Sequence, residues 1–544
     1  MLSLNIASRP FHELVTPLAY AQIAPVPFLW VERLMVSAFG VNEWVLRALP
    51  LLAGSAMCLA LLLVGRRMLR PGELVVALTL AALSPALVRY SVEVKPYSWD
   101  ALLAVVMVGA TVPLLTPAST PVSWARLAIV GSVVVVSSLA SPFVALGAVL
   151  ALSVSALMQR RLDLLGRSGL LALLWGALFL APYQLLYREE AGAPYMRAFW
   201  QGSFLVPGSP ELATRANAAL VEAIRTLDAG WPMLGLSALV LGFLFLGTVI
   251  LWRRGGIPYV LLLLGPVLAP LAASVTGAYP AAARLLLFAA PLAIMLVAIG
   301  VIGTARTIHR FLPSVPARWV TALLLLPGIT TGVASLLVQR DQQLRPLVSE
   351  LQQRWLDGEP AYVFHRIVPA WLFYTTNWAA PDREQLDWLM QVSGPGGLAH
   401  ENGPSRGPRE PGEGKHLVYH LRGHPILIGA SSGVQERPMS ALELASPDEG
   451  WALNEAQRMR AASPVMWVIL GHAADGVDLG RILLEAVQRA GAGLTLQDSL
   501  LDGRLYRLVF AHSRGGPSPG SWNNKSARTE SRLSAKVERS RYRK

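Results

Sequence analysis

Ten apolar runs occupy most of the chain between Trp44 and Val338, and they limit what it can fold into more than any other feature. A helix needs roughly 20 apolar residues to cross a ~30 Å hydrocarbon core. Runs of that kind lie near Trp44–Val64, Glu73–Val88, Ser98–Leu115, Trp124–Leu139, Phe143–Met158, Gly169–Leu186, Met233–Trp252, Ile257–Thr276, Ala282–Ile302 and Trp319–Val338. Some are short, and the pair divided at Ser141-Pro142 is the weakest as two separate spans. Only 15% of the residues are charged, against about 25% in soluble domains. The expected fold class is therefore a polytopic α-helical membrane protein of about ten transmembrane helices.

The basic residues orient it. Taken alternately, one set of loops carries Arg66, Arg67 and Arg70, then Arg126, then Arg160, Arg161 and Arg167, then Arg253 and Arg254, then Arg306, Arg310 and Arg318. These loops are expected to be cytoplasmic. The other set is "SVEVKPYS", the turn at Ser141-Pro142, a long loop from Tyr187 to Pro232, and "TGAYPAA". Ten spans in this register place both chain termini outside, and an odd further span ahead of Met1 would account for an external N-terminus.

Four regions follow. Residues 1–43 form an outer-face juxtamembrane segment, whose polar, turn-rich start reads as the middle of a loop. Within it Phe28–Phe39 is helix-like, stops at Gly40, and is too short to span, so it is expected to lie along the interface. Residues 44–339 are the transmembrane domain. Residues 340–512 read as a C-terminal extracytoplasmic α/β domain: "RPLVSELQQRWLDGEPAYVFH" as amphipathic helix, turn and strand, and the segment from Pro464 to His512 as strand, helix and two strands. A Gly/Pro-rich loop interrupts it between Ser393 and Lys415. Residues 513–544 are a basic tail, nine basic residues against two acidic ones, expected to be disordered.

The net charge of +13 is thus concentrated in the tail and the short loops. Aromatic residues do not interleave with the basic ones as single-strand binding wants, so nucleic acid is not an expected partner. Cys58 is the only cysteine, which excludes an internal disulfide and a cysteine zinc site. His416, His420 and His424 have metal-like spacing, but "HLVYHLRGHPILIG" is strand-like and broken at Arg422-Gly423, so they do not share a helix face. His472 reads as a strand-end residue, and "NKS" at Asn524 is a glycosylation sequon of the kind chance produces.

Chemistry-bearing residues gather on the outer side. "RYSVEVKPYSWD" supplies Glu93, Lys95, Tyr97 and Asp100 between two spans, with Asp100 opening an apolar helix where the dipole favours a carboxylate. The alternative for this group is an interfacial anchor belt. "GAYPAAARLLLFAAP" supplies Tyr279 and Arg284, a cation a few residues inside an apolar helix, which calls for a partner such as a lipid phosphate; snorkelling to the interface is its alternative. The N-terminal segment adds Tyr20, Gln22, Glu32, Glu43 and Arg47 near the same face.

"LNIASRPFHELVTPLAYAQIAPVPFLWVERLMVSAFGVNEWVLRALPLLAG", followed by "YSVEVKPYSWD" and "YPAAARLLLFAAP", resembles bacterial members of the GT-C glycosyltransferases, related to protein mannosyltransferases and the aminoarabinose transferase of lipid A. "WLDGEPAYVFH" and "VMWVILGH" resemble the C-terminal extension of one bacterial subgroup. The resemblance implies transfer of a sugar, with inversion, from a polyprenyl-phosphate donor to an envelope glycan, lipid or protein acceptor on the outer face of the bacterial inner membrane. It implies no certain cofactor and is compatible with a divalent metal. Lys95 and Arg284 would bind the lipid phosphate, Tyr20, Gln22, Tyr97 and Tyr279 the donor or acceptor, and Glu93 and Asp100 are accessory catalytic candidates. The family's acidic base pair is expected immediately before a stretch like "LSLNIASR", upstream of Met1. Two other readings stay open: a non-catalytic membrane protein whose outer domain binds a partner, and a lipid-linked sugar flippase.

Overall fold

A computed structural model describes residues 1–116, 120–208, 211–216, 237–338, 344–394, 417–429, 449–471, 479–500 and 503–510. The Gly/Pro-rich stretch after Gly394, the basic tail, His416, His472, Asn524 and the segment from 217 to Pro232 lie outside them.

The chain is a polytopic helical membrane protein carrying a C-terminal sheet domain. Among the described residues, eight helices are long and apolar enough to cross a membrane, and two shorter apolar helices, Pro71–Leu83 and Pro121–Ser137, accompany them. The helices before the first long loop are α1 (Leu2–Ser8), α2 (Val26–Phe39), α3 (Glu43–Met68), α4 (Pro71–Leu83), α5 (Pro85–Tyr90), α6 (Tyr97–Thr111), α7 (Pro121–Ser137), α8 (Ser141–Met158) and α9 (Leu162–Pro182). Then follow α10 (Arg188–Gly192), α11 (Pro194–Trp200), α12 (Ser237–Gly255), α13 (Ile257–Val275), α14 (Ala283–Leu286), α15 (Ala290–Phe311) and α16 (Ala317–Val338).

Proline and side-chain caps set the breaks. The run expected as one span near Glu73–Val88 is two helices, because Pro85 has no N–H to continue α4 and Ser84 caps α5 by accepting from Leu87 N–H at 3.4 Å. Asn42 caps α3 by accepting from Val45 N–H at 2.9 Å, and Gly40 stops α2 with φ +81°. The N-terminal stretch read as a loop is instead helical in α1. Leu2, Leu4 and Ile6 are buried there, so tertiary packing stabilises a helix too short to stand alone.

α15 is the central helix of the bundle, with every residue from Ala290 to Ile302 buried. α12 lies against it backbone to backbone: a Cβ at Gly247 would collide with the Leu296 carbonyl, and one at Gly300 with the Phe243 carbonyl. Small residues that let helices touch replace the hydrophobic drive that lipid does not supply. At one end of the bundle buried Glu73 takes the N–H of Arg70 at 3.0 Å and pairs with Arg254 at 2.8 Å and Arg306 at 3.6 Å. Three loops of the expected cytoplasmic set therefore meet at this end.

The sheet domain has α17 (Leu344–Arg354), α18 (Val368–Thr375), α19 (Arg383–Val392), α20 (Glu449–Ala462) and α21 (Leu479–Arg489) around six strands. These are β1 (Ala361–Val363), β2 (Leu417–Leu421), β3 (His424–Ile428), β4 (Val465–Gly471), β5 (Ala492–Leu500) and β6 (Gly503–Phe510), in the order β2-β3-β1-β4-β6-β5. β1 runs parallel to β3 and β4, while β2 pairs with β3, and β6 with β4 and β5, in antiparallel fashion. Arg422 and Gly423, both at positive φ, make the two-residue turn of the β2–β3 hairpin.

The N-terminal segment joins bundle and sheet domain. Leu4 and Tyr20 pack in the sheet-domain core, while Leu2, Ile6 and Leu14 pack with α2 and α3. Glu43, expected near the outer-face polar cluster, is at this junction: it accepts a hydrogen bond from Tyr374 and pairs with Arg345 at 3.4 Å.

Candidate active site

At the end of the bundle away from Glu73, the loops of the second set enclose a cavity of about 1950 Å3. It is lined by Tyr20, Gln22, Glu93, Lys95, Tyr97, Asp100, Tyr279 and Arg284, the eight residues given a phosphate, ligand or catalytic role from the sequence. Four cations (Lys95, Arg188, Arg197 and Arg284) stand against three carboxylates (Glu93, Asp100 and Glu189), so the cavity favours an anion.

Each side chain is placed by local structure. Pro96 turns the loop after α5 into α6, and Asp100 N–H returns to the Pro96 carbonyl at 2.8 Å. That puts Asp100 in the first turn of α6, where the helix dipole favours a carboxylate. The Ser138 hydroxyl lies beside it. The Ser138 oxygen in turn accepts from Ala140 N–H at 3.2 Å. Asp100 Oδ1 is shielded from solvent and has no hydrogen-bond partner among the described residues.

Lys95 is half-buried in the same loop. Loss of hydration lowers its pKa to about 8, Glu93 opposes that shift, and Arg284 adds to it. The ammonium donates to the side-chain carbonyl of Gln22. Lys95 is the only lysine before Lys415 in a chain that otherwise uses arginine. Arg284, in α14, lies over Trp200 and Phe199, 4.8 and 5.6 Å from their ring centroids. It has no salt bridge among the described residues, so its charge is oriented but not neutralised.

Tyr279 donates to the Leu285 carbonyl at 3.0 Å and packs edge-on against Phe143, centroids 4.8 Å apart. Burial first, then the Asp100 charge, push its phenol far above the ordinary range, so it stays a neutral donor. Tyr97 meets Tyr90 edge-to-face at 5.0 Å.

Two of the eight also make contacts within the protein. The Tyr20 ring is buried and its hydroxyl is hydrogen-bonded to Ser393 at 2.8 Å, which anchors the loop. Gln22 is engaged with Lys95. Glu32, placed by the sequence near the same face, does not line the cavity. It is buried within α2 with neither oxygen hydrogen-bonded among the described residues, and burial raises its carboxyl pKa to about 8.

Other lining residues were not singled out in the sequence. After Pro182 the chain makes a π-helical turn, Tyr183–Tyr187, of the kind that recurs at functional sites. It brings Tyr183, Gln184 and Tyr187 to the cavity, followed by Arg188, Glu189, Arg197, Phe199 and Trp200 on α10 and α11. Their signal in the sequence is the density of aromatic and charged residues in "YQLLYREEAGAPYMRAFW", immediately after a span. No group of three His, Cys, Asp or Glu residues able to hold a metal comes together among the described residues. His420 is exposed on β2, and His424 stacks on Trp355 with centroids 4.0 Å apart.

No family model and no curated protein matches the sequence. Among solved structures the chain is similar to several, including these two. One is ArnT from Cupriavidus metallidurans bound to undecaprenyl phosphate, with TM-score 0.48 and 12% identity over 95% of this chain and 94% of that one. The other is the oligosaccharyltransferase AglB from Archaeoglobus fulgidus in complex with an inhibitory peptide and a dolichol-phosphate, with TM-score 0.42 and 13% identity over 95% and 71%.

Proposed function

We propose that the chain is a membrane glycosyltransferase that takes a sugar from a polyprenyl-phosphate carrier and passes it to a hydroxyl acceptor, at a site facing away from the cytoplasm. The observation that carries this reading is the convergence of Lys95 and Arg284, from loops far apart in sequence, on one cavity that also holds the incompletely partnered Asp100. Two cations that make no salt bridge among the described residues suit a phosphate, and Arg284 can bind one through two N–H groups. The orientation rests on the arginines of the opposite end.

In the proposed reaction, Asp100 accepts the proton of the acceptor hydroxyl as its oxygen attacks C1 of the sugar. The bond from C1 to the phosphate oxygen breaks, and its electron pair leaves with the polyprenyl phosphate. Lys95 and Arg284 stabilise that developing charge, the kind of preorganised electrostatics that dominates many rate enhancements. Glu93, beside Lys95, and the neutral donor Tyr279 orient the hydroxyl-rich ligand. We assign acceptor choice to the cavity-lining segment from Tyr183 to Trp200 and to the sheet domain.

The test is binding and transfer by the full chain in nanodiscs. Undecaprenyl phosphate is expected to bind more tightly than undecaprenol. Lys95→Ala and Arg284→Ala are each expected to reduce transfer from a polyprenyl-phosphate sugar by about 10²–10³-fold. Equal binding of the two lipids would overturn the reading.

A further inference from the structure

The least ordinary backbone near the cavity is the turn Leu18–Gln22. Tyr20 and Ala21 sit at φ +62° and +48°, a left-handed conformation that non-glycine residues adopt only when the surroundings impose it. Three contacts impose it here. Buried Asn5 grips Ala19 from both sides, accepting its N–H at 2.8 Å and donating to its carbonyl at 3.2 Å. Leu18 and Gln22 pair as an isolated antiparallel bridge. The Tyr20 hydroxyl reaches Ser393 at the end of α19, in the sheet domain. Ser393 gives its one hydroxyl hydrogen to the Leu389 carbonyl, so Tyr20 is the donor in that pair.

The consequence of the turn is the position of Gln22. Its amide nitrogen donates to the Tyr20 carbonyl at 2.9 Å, which leaves its side-chain carbonyl facing the cavity and accepting from Lys95. Lysine is a flexible point charge on four methylenes and needs an acceptor to hold it. A neutral acceptor aims the ammonium without cancelling its charge. A carboxylate in the same place would hold Lys95 and compete with an incoming anion.

We infer that Gln22 is a positioning residue for Lys95 and that the sheet domain holds it in place through Ser393 and Tyr20. The sheet domain is then part of the anion site. What Lys95 is positioned for rests on the lipid-phosphate reading; the positioning itself does not.

The test uses the full chain in nanodiscs and two readouts. The first is competitive acylation of lysines by a small anhydride across pH, with Lys95 quantified by mass spectrometry against the four other lysines. The second is affinity for undecaprenyl phosphate, with undecaprenol as control. The charges acting on Lys95 are those of Glu93 and Arg284, with the Met1 amino group also within its reach, and every variant retains all three. Gln22→Ala removes an acceptor that favours the ammonium, so the Lys95 midpoint is expected to fall by about one pH unit and affinity by about tenfold. Gln22→Glu is expected to raise the midpoint above that of the unaltered protein while still weakening lipid-phosphate binding, an opposite sign that misfolding does not produce. Ser393→Ala and Tyr20→Phe should move the midpoint in the direction of Gln22→Ala, by less. An unchanged midpoint in Gln22→Ala overturns the inference. If undecaprenyl phosphate binds no better than undecaprenol while the midpoints shift as stated, the positioning stands and the lipid-phosphate reading falls.

Discussion

At one end of the bundle Glu73 is fully enclosed and meets Arg254 at 2.8 Å, Arg306 at 3.6 Å and the Arg70 N–H at 3.0 Å. At the other end Asp100 is shielded too, yet among the described residues Oδ1 has no hydrogen-bond partner and Lys95 and Arg284, which line the cavity, make no salt bridge. Both ends pay the desolvation penalty of charge near hydrocarbon, which is tolerated only where partners or a water-filled space offset it. At the Glu73 end the partners are all within the protein, which ties α4, α12 and α15 together. At the Asp100 end the cations have neutral and aromatic partners but no ion pair among the described residues, and under the proposed function an external anion and hydroxyl would complete the set. The same residue types therefore build a clamp at one end and a site at the other.

The sharpest way to break that comparison is to neutralise each carboxylate. Asp100→Asn keeps the shape but removes the proton acceptor. Transfer is expected to fall by about 10²–10⁴-fold, the range typical of general-base catalysis, with the thermal unfolding midpoint in detergent unchanged or higher. Glu73→Gln is expected to do the reverse. Removing one partner of a buried pair costs about 3–5 kcal/mol when both are enclosed. Arg254 keeps 27% of its side chain exposed, so about 2–4 kcal/mol is expected, with transfer per folded molecule within about threefold. An Asp100→Asn protein that unfolds early but transfers normally would show that the two ends do the same job.

Trp200 tests whether the open end is held ready for its ligand. Its ring lies 4.8 Å from the Arg284 guanidinium, and a partly desolvated cation–π contact is worth about 1–2 kcal/mol. Trp200→Ala is expected to weaken undecaprenyl-phosphate binding by about 3–30-fold in the same titration, and Trp200→Phe by much less. Equal losses in both would mean that the ring acts only by filling space.

Much of this arrangement is legible in the sequence because its physics is local. Eight of the ten apolar runs become helices long enough to cross a membrane among the described residues, and alternating loop charge sorts their ends. Asp100 and Arg284 stand out because a charge beside hydrocarbon needs a reason. What is not legible depends on distant contacts. Leu2–Ser8 is too short to be helical by propensity and becomes a helix only by packing under α2. Tyr20 reads as a ligand residue, and its hydrogen bond to Ser393, far along the chain, shows only in the fold. Arg197 and Trp200 carry no spacing pattern, since a loop that closes a cavity is shaped by what it closes on. Pro85 is the exception: its break in the second span was local and readable, yet hidden by the continuous hydropathy around it.

Glu32 supplies the smallest effect and the third case that completes the comparison, a carboxyl enclosed with neither partner nor cavity. Both oxygens lack hydrogen bonds among the described residues, and burial raises the pKa to about 8. The folded-state value is thus above the unfolded one, near 4.5. The native state holds more protons between those values, so stability is greatest below about pH 4.5 and is lost as pH rises through about 8. Glu32→Met removes the titration and fills the same space with an apolar chain. At pH 7 it is expected to stabilise the protein by about 2–3 kcal/mol and to flatten the unfolding midpoint between pH 5 and 8 (approximate bounds, from the same linkage). Unfolding midpoints measured across that range for both proteins decide it. Parallel curves would mean that Glu32 finds a partner in the membrane, and it would then belong with Asp100 as a group awaiting its ligand.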